Sequence, residues 1–215
     1  MRRPLDLGLV LVTDRALCFG RPLEDVVQAA VRGGVSAIQL REKHCSTAEF
    51  ITLASRMKTL LESSGVPLII NDRVDVALAS DADGVHLGQR DVSVSEARRR
   101  LGPEAVLGLS VETMAQALNA EGLDIEYLGV SPIFPTPTKP EAGMVWGLEG
   151  LRSLRPRTRR FLVAIGGIKA ANARDVLEAG ADGLAVVSAI CSANNPEAAA
   201  RDLRNAVDRI RMERG

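Results

Sequence analysis

Short runs of apolar residues recur along the chain, and each run is followed by a segment in which apolar residues have helical spacing. The runs are nearly continuous, which is typical of parallel strands that are covered on both faces. The pattern predicts eight strands: Leu7–Val12, Ser36–Leu40, Leu68–Ile70, Gly84–Leu87, Val106–Leu109, Tyr127–Val130, Leu162–Ile165 and Gly183–Val187. It predicts eight helices: Leu23–Arg32, Thr47–Ser63, Val74–Ala79, Val94–Leu101, Met114–Ala120, Leu148–Leu154, Ala170–Ala179 and Pro196–Met212.

Eight strand–helix units in 215 residues favour a closed barrel of parallel strands. An open, doubly wound sheet is the alternative, but that architecture usually needs fewer units and has one switch point. We therefore expect a single α/β domain over residues 1–215, a (β/α)₈ TIM barrel. Its functional side chains should lie at the C-terminal ends of the strands.

Composition narrows the classes of function. Lys and Arg together number 27, as do Asp and Glu, so no net charge attracts nucleic acid or an acidic membrane. Three cysteines without a C-x-x-C spacing indicate neither a disulfide framework nor a zinc site. Without a signal peptide or an apolar run of ~18 residues, we expect a cytoplasmic protein. The apolar helix faces leave open whether it is a homo-oligomer.

Cations follow the second predicted strand. Gln39, Arg41 and Lys43 share one side of an extended chain because strand side chains alternate. If that side faces the barrel mouth, two cations and an amide point into the cavity. Cations placed there would be costly to desolvate without an anionic ligand. The pattern therefore indicates an anion site, and a basic pair at a strand end is the alternative.

Carboxylates follow the third and fourth strands, which are neighbours in a barrel. Asp72, directly after Asn71, and Asp91 could therefore stand within coordinating distance of one cation. Two carboxylates, with waters and phosphate oxygens, form an environment typical of Mg²⁺. Alternatively, Asp72 caps the helix that follows it and Asp91 starts another. His86, on the fourth strand, is either a core histidine or a substrate contact.

The sixth strand leads into a rigid loop that is rich in hydroxyl groups. Three prolines within six residues fix the backbone there, so neither a helix nor a central strand can continue. The loop thereby presents Thr136, Thr138 and Lys139, which are donors suited to phosphate oxygens. A proline-rich surface turn is the alternative.

The remaining strand ends carry small and hydroxyl-bearing residues. Ser110, after the fifth strand, either binds phosphate or caps the helix that begins near Glu112. Gly166 and Gly167 follow the seventh strand, and Ser188 follows the eighth and opens a short helix. Loops after strands seven and eight often form a phosphate site in this fold. Two anion sites in one mouth suggest two phosphorylated substrates, one of which carries pyrophosphate.

The segments at six of these strand ends are Gln39–Lys43, Ile70–Arg73, His86–Asp91, Pro132–Lys139, Ala164–Ile168 and Val187–Ile190. In this order they resemble the motifs of the thiamine-phosphate synthase family. Val12-Thr13-Asp14-Arg15 extends the resemblance over nearly the whole chain. The sequence departs from the pattern at Ser131, where glycine is expected, and at Met144-Val145-Trp146.

The resemblance implies an enzyme that joins hydroxymethylpyrimidine pyrophosphate to a thiazole phosphate and releases thiamine phosphate and pyrophosphate. It implies that Asp72 and Asp91 hold Mg²⁺ on the pyrophosphate. The residues implied at the pyrophosphate itself are Arg41, Lys43, Asn71, Ser110 and Lys139, all but Asn71 also acting in catalysis. The residues implied at the organic groups are Gln39 for the pyrimidine, Thr136 and Thr138 for the thiazole, and Gly167, Val187 and Ser188 for the thiazole phosphate end.

Other functions fit parts of the pattern. A thiazole tautomerase on the same fold would need no metal–pyrophosphate half-site. A Schiff-base aldolase would use Lys139 as nucleophile, but that lysine lies in a polar loop without the apolar pocket that lowers a lysine pKa. A non-catalytic sensor of thiazole phosphate would have no use for paired carboxylates. The expected partners are small-molecule substrates, with no nucleic acid and no membrane.

Overall fold

The computed structural model describes residues 5–136 and 145–215, and its strands form one closed barrel. All eight strands are parallel and pair in chain order, with β8 returning to β1. Their bounds are β1 Leu9–Val12, β2 Ala37–Leu40, β3 Leu68–Asn71, β4 Gly84–Leu87, β5 Val106–Val111, β6 Tyr127–Val130, β7 Phe161–Ile165 and β8 Gly183–Val186. The predicted (β/α)₈ barrel is confirmed.

Helices alternate with the strands, as predicted. They are α1 Leu23–Arg32, α2 Thr47–Leu61, α3 Val74–Ala79, α4 Val94–Leu101, α5 Met114–Asn119, α6 Gly147–Leu154, α7 Ala170–Glu178, α8 Ser188–Cys191 and α9 Pro196–Arg214. Most bounds agree with the prediction, and the others differ by one or two residues. The difference that matters is β5, which continues to Val111 and so places Ser110 inside the strand.

Alternating strand residues pack on two sides of the barrel wall. Leu9 and Leu11 of β1 contact the helices, whereas Val10 and Val12 face the barrel interior. Both sets are buried, because a parallel sheet with helices outside and side chains inside has no solvated face. This double burial explains why the strands appear in the sequence as continuous apolar runs.

Two glycines make room for two rings in the barrel interior. A Cβ added at Gly108 would lie 2.2 Å from Cζ of Tyr127, and one at Gly129 would lie 2.7 Å from Cε1 of His86. Strand pairing places Gly108 on β5 opposite Tyr127 on β6, which explains the first of these close approaches. Close packing of the two rings therefore depends on the missing side chains.

We expect Gly108→Ala to destabilise the protein by about 1–3 kcal/mol, because the added methyl group overpacks a rigid interior. The measurement is the free energy of unfolding from urea denaturation. Gly122→Ala is the matched control, since a Cβ at Gly122 has nothing within 4 Å, and its effect should stay within about 0.5 kcal/mol. Equal stability of the Gly108→Ala variant and the wild type would contradict the packing described.

A carboxylate near the start of β1 fastens the strand to the last helix. Asp6 accepts hydrogen bonds from Arg204 at 2.7 Å, from Arg211 at 2.9 Å and from the Gly8 amide at 2.8 Å. Burial opposes ionisation of Asp6, but the bonds from the two arginines outweigh it and lower its pKa from 3.8 to about 2. The ionised carboxylate therefore stabilises the fold.

We expect Asp6→Asn to cost about 1 kcal/mol near neutral pH, a value reduced for partial solvent screening. Because the folded-state pKa is below the unfolded one, the contribution is complete above the unfolded value of 3.8 and disappears as the pH falls to about 2. Urea denaturation of both proteins at about pH 7 and about pH 3 measures this. If the difference in free energy of unfolding between the two proteins does not shrink in acid, the assigned role of Asp6 is wrong. Asp202→Asn on α9 is the control.

Two predicted absences can be examined in the described part of the chain. There, no helix is long and apolar enough to cross a bilayer. Cys18, Cys45 and Cys191 are all free thiols, which agrees with the absence of a disulfide framework.

Candidate active site

A cavity of about 1030 Å³ opens at the C-terminal ends of the strands. Eleven of the thirteen predicted site residues line it: Gln39, Arg41, Lys43, Asn71, Asp72, Asp91, Ser110, Thr136, Gly167, Val187 and Ser188. The other two, Thr138 and Lys139, lie outside the described residues. The cavity thus brings together residues that the sequence spreads over seven strand ends.

Two neighbouring side chains anchor Arg41 in the mouth of the barrel. Strand pairing sets Val12 opposite Gln39, and therefore brings the residues that follow β1 beside those that follow β2. The Arg41 guanidinium approaches the Asp14 carboxylate at 3.6 Å, and the Arg41 amide donates to Oγ1 of Thr13 at 3.0 Å. Both partners hold the arginine in the cavity wall, where only 17% of its side chain is exposed.

The carboxyl groups of Asp72 and Asp91 lie within hydrogen-bonding reach of each other. Burial and the charge of Asp91 raise the pKa of Asp72 to about 6, although the nearby cations of Arg41 and Lys43 oppose this shift. Asp91 also accepts a hydrogen bond from the Gly88 amide at 2.6 Å. Asp72 has a φ of 64°, a strained conformation of the kind found at functional sites.

Neither carboxylate caps a helix, so the alternative drawn from the sequence is wrong for both. Arg73 occupies the N-cap of α3, and Ser93 occupies that of α4, where its side chain accepts from the Glu96 amide. Asp72 and Asp91 instead face each other across the ends of β3 and β4. Their proximity costs electrostatic energy in the absence of a compensating charge.

This pair suits a hard divalent cation, whose charge would offset the repulsion between the two carboxylates. No cluster of three or more His, Cys, Asp or Glu side chains that could hold a metal occurs within residues 5–136 and 145–215. The remaining ligands would therefore be waters and oxygens of a bound anion. That division is usual for Mg²⁺, which keeps much of its hydration.

Amide side chains line the same wall of the cavity. Nε2 of Gln39 donates to Oδ1 of Asn71 at 2.7 Å, which links the ends of β2 and β3. Gln39 is only 6% exposed. The bond fixes the orientation of both amides, so the remaining donors of Asn71 and the carbonyl of Gln39 point in defined directions.

Ser110 belongs to a hydrogen-bonded row of side chains at the cavity floor. His86 lies between the Tyr127 hydroxyl, 2.9 Å from Nδ1, and the Ser110 hydroxyl, 2.8 Å from Nε2. The suggestion that Ser110 caps the next helix is wrong, because α5 begins at Met114 with Thr113 as its cap. His86 is both buried and part of the cavity wall, so the two alternatives for this residue coincide.

The loops after β6 and β7 hold each other in place. The Ile133 amide donates to the Ile165 carbonyl at 2.9 Å, and the Phe134 amide donates to Gly166 at 3.1 Å. Gly167 has a φ of 66°, and a Cβ there would lie 2.8 Å from Cβ of Phe134. The glycine pair thus lets two loops approach closely, a role in addition to the predicted one toward an anion.

The loop after β8 leads into α8, whose first residue is Ser188. Arg21 fastens the other end of this helix: its guanidinium donates to the Cys191 carbonyl at 2.6 Å and to Ala193 at 2.7 Å. The same side chain also donates to the Cys18 carbonyl at 3.0 Å. Arg21 therefore connects the loop after β1 to the predicted phosphate-binding segment.

Four residues that matter to the geometry were given no role from the sequence: Asp14, Arg21, Tyr127 and Thr13. Asp14 and Thr13 lie in a motif that carried the resemblance, so a signal for them existed. Tyr127 is the only tyrosine in the chain and stands in an apolar strand, which made it resemble core packing. Arg21 had no signal, because two of its three partners are backbone carbonyls about 170 positions away in the sequence.

Comparison with known proteins agrees with the motifs. The sequence profile described as thiamine monophosphate synthase matches residues 9–190. A thiamine-phosphate synthase of Albidiferax ferrireducens is 56% identical over 204 residues, which cover 95% of this chain and 93% of that protein. One of Leptospira biflexa is 54% identical over 202 residues, covering 92% and 96% respectively.

Solved structures agree as well. A thiamine phosphate pyrophosphorylase from Pyrococcus furiosus superposes with a TM-score of 0.87 at 40% identity, covering 95% of this chain and 96% of that one. A 3-hexulose-6-phosphate synthase superposes with a TM-score of 0.67 at 17% identity, which shows the shared fold alone. The profile and the close relatives together place the chain in the thiamine monophosphate synthase family of enzymes.

Proposed function

We propose that this protein condenses 4-amino-2-methyl-5-hydroxymethylpyrimidine pyrophosphate with 4-methyl-5-(2-phosphooxyethyl)thiazole to give thiamine phosphate and pyrophosphate. One observation carries the proposal: the paired carboxylates of Asp72 and Asp91 share a single cavity with Arg41 and with the loops after β7 and β8. The names of the close relatives support the same reaction.

The pyrophosphate half of the site would lie at the ends of β2, β3 and β4. Arg41 and Lys43 supply positive charge there, and Asn71 supplies an oriented amide. A guanidinium binds phosphate oxygens in a fixed bidentate geometry, whereas an ammonium acts as a point charge. These cations would stabilise the charge that grows on the leaving group.

Asp72 and Asp91 would hold Mg²⁺ against this pyrophosphate. A bound Mg²⁺ would neutralise charge on the pyrophosphate and so make it a better leaving group. The pair fits this role because its own repulsion needs a counter-charge. Waters and phosphate oxygens would supply the remaining ligands.

The thiazole phosphate half would lie across the mouth, on the loops after β6, β7 and β8. Thr136 offers a hydroxyl and Gly167 a backbone amide. Val187 is the N-cap of α8, and Ser188 is its first residue. Backbone amides at such loop ends favour an anion. The parts assigned to Thr138 and Lys139 stay predictions from the resemblance.

The chemistry then needs no covalent nucleophile from the protein. The bond between the pyrimidine CH₂ and the pyrophosphate oxygen breaks, and pyrophosphate leaves with the electron pair. The thiazole nitrogen gives its lone pair to the CH₂ carbon and becomes the thiazolium nitrogen of thiamine phosphate. The amino group of the pyrimidine stabilises the developing cation, so a dissociative displacement is favoured. The protein aligns the two reactants and excludes water.

A product assay tests the proposal. Purified protein, Mg²⁺ and both substrates should yield thiamine phosphate and pyrophosphate in equal amounts, and EDTA should stop the reaction. Omitting the thiazole phosphate is the matched control, since pyrophosphate release should then slow sharply. Folded protein that binds thiazole phosphate yet forms no product would contradict the proposal and favour the tautomerase or the sensor.

A further inference from the structure

Tyr127, His86 and Ser110 form a row of two hydrogen bonds. Each bond has a defined donor and a defined acceptor, because the three side chains have different numbers of donors and acceptors. The Tyr127 side chain is 1% exposed, and burial raises the pKa of its phenol further above the ordinary value of 10. The phenol is therefore protonated and its O–H needs an acceptor. Among the described residues, Nδ1 of His86 at 2.9 Å is the hydrogen-bond partner of this hydroxyl.

Donation from Tyr127 makes Nδ1 of His86 an acceptor, and the imidazole proton must then be on Nε2. The hydrogen bond at one ring nitrogen sets the state of the other. Nε2–H lies 2.8 Å from Oγ of Ser110 and donates to it. The opposite direction, with Nδ1–H donating to the phenol, would leave a buried phenol proton without an acceptor.

A serine hydroxyl that accepts from His86 keeps its own proton for another partner. Ser110 lines the cavity, where a bound anion could accept that proton. We propose that Tyr127 and His86 are positioning residues that hold the Ser110 hydroxyl as a hydrogen-bond donor toward the pyrophosphate of the substrate. This inference rests on the proposed function for the identity of the acceptor.

The surrounding sequence preserves this arrangement. Gly108 stands where a Cβ would lie 2.2 Å from the Tyr127 ring, and Gly129 where a Cβ would lie 2.7 Å from the His86 ring. The two rings are 5.4 Å apart between centroids and tilted by 31°. Both ring positions are thus fixed by strands on either side, which suits a row that must keep one direction.

Nitrogen-15 NMR of the His86 imidazole shows which ring nitrogen carries the proton, and it needs no assay of turnover. The chain contains two histidines, so His44→Gln leaves only the signals of His86. We expect the wild-type ring to carry its proton on Nε2 and the Tyr127→Phe variant to show a mixture of both tautomers. A wild-type ring with its proton on Nδ1 would overturn the inference, because Ser110 would then donate to His86 and not to the substrate.

Kinetics tests whether the row acts through Ser110. Tyr127→Phe keeps the ring and removes only the hydroxyl, and we expect kcat to fall about 10-fold with little change in KM. In a Ser110→Ala background the same change should have no further effect, because the group that it orients is gone. An equal fall in both backgrounds, or no fall in either, would overturn the proposal.

A control variant separates effects on stability from effects on function. Ser80→Ala removes a buried hydroxyl that bonds the Val76 carbonyl at the far end of α3, and it should change the melting temperature without changing kcat. Absence of thiamine phosphate from the wild-type reaction would refute the proposed function, whereas the NMR result would still decide the direction of the row.

Discussion

Asp72→Asn is expected to lower kcat about 100-fold or more, while the metal-free protein loses no stability. The loss of rate follows because a divalent cation held by one carboxylate neutralises less charge on the leaving pyrophosphate, an effect comparable to removing an oxyanion-hole donor. Burial and the charge of Asp91 together raise the pKa of Asp72 to about 6, and stability is retained because asparagine removes the repulsion between the two carboxylates. Steady-state kinetics with Mg²⁺ and urea denaturation in EDTA measure the two effects.

Asp75→Asn is the matched control for this variant. Asp75 is a carboxylate three positions further along the chain, on α3, where it forms an exposed ion pair with Arg73. Its replacement should leave kcat close to the wild-type value. Mg²⁺ with pyrophosphate should raise the melting temperature of the wild type and of Asp75→Asn but not of Asp72→Asn. Normal turnover by Asp72→Asn would contradict the assignment of the metal site.

Arg41→Lys is expected to lower kcat/KM about 10- to 100-fold although it preserves the charge. The guanidinium lies 3.6 Å from Asp14 and faces the cavity at the same time. A lysine ammonium is compact and cannot keep the carboxylate contact while presenting two parallel donors to pyrophosphate. Steady-state kinetics with the pyrimidine substrate varied would show the loss, in both KM and kcat.

Arg56→Lys controls for the exchange itself. Arg56 is an exposed residue of α2 that pairs with Glu24 at the protein surface, so its replacement should change kcat/KM little. Asp14→Asn provides a second check, because it leaves Arg41 charged but without its carboxylate partner. Kinetics of Arg41→Lys equal to those of the wild type would show that charge alone suffices at this position.

The fold could be predicted from sequence because strands that are buried on both sides of the barrel wall appear as continuous apolar runs. Leu9 and Val10 point to opposite faces yet are both buried, so β1 appears as an unbroken apolar run. The site followed from the rule that chemistry lies where strands end. Asp72 and Asp91 were brought together by the neighbouring positions of β3 and β4.

The remaining features depend on register and on distant partners. Whether Ser110 ends β5 or lies within it is decided by pairing with Gly129 of β6, and no local pattern reports this pairing. Asp14 meets Arg41 only because Val12 aligns with Gln39. Tyr127 and His86 are 41 positions apart, and their contact depends on the glycine at 108, whose role appears only when the barrel is closed.

The central claim is that one mouth holds a metal–pyrophosphate half-site beside a thiazole phosphate half-site. A crystal structure of the protein with Mn²⁺, pyrophosphate and thiazole phosphate tests it most directly, since Mn²⁺ replaces Mg²⁺ and has an anomalous signal. We expect an anomalous peak from a metal ion bound by both Asp72 and Asp91, with pyrophosphate on Arg41 and thiazole phosphate near Ser188. A metal bound elsewhere, or pyrophosphate on the loops after β7 and β8, would contradict it.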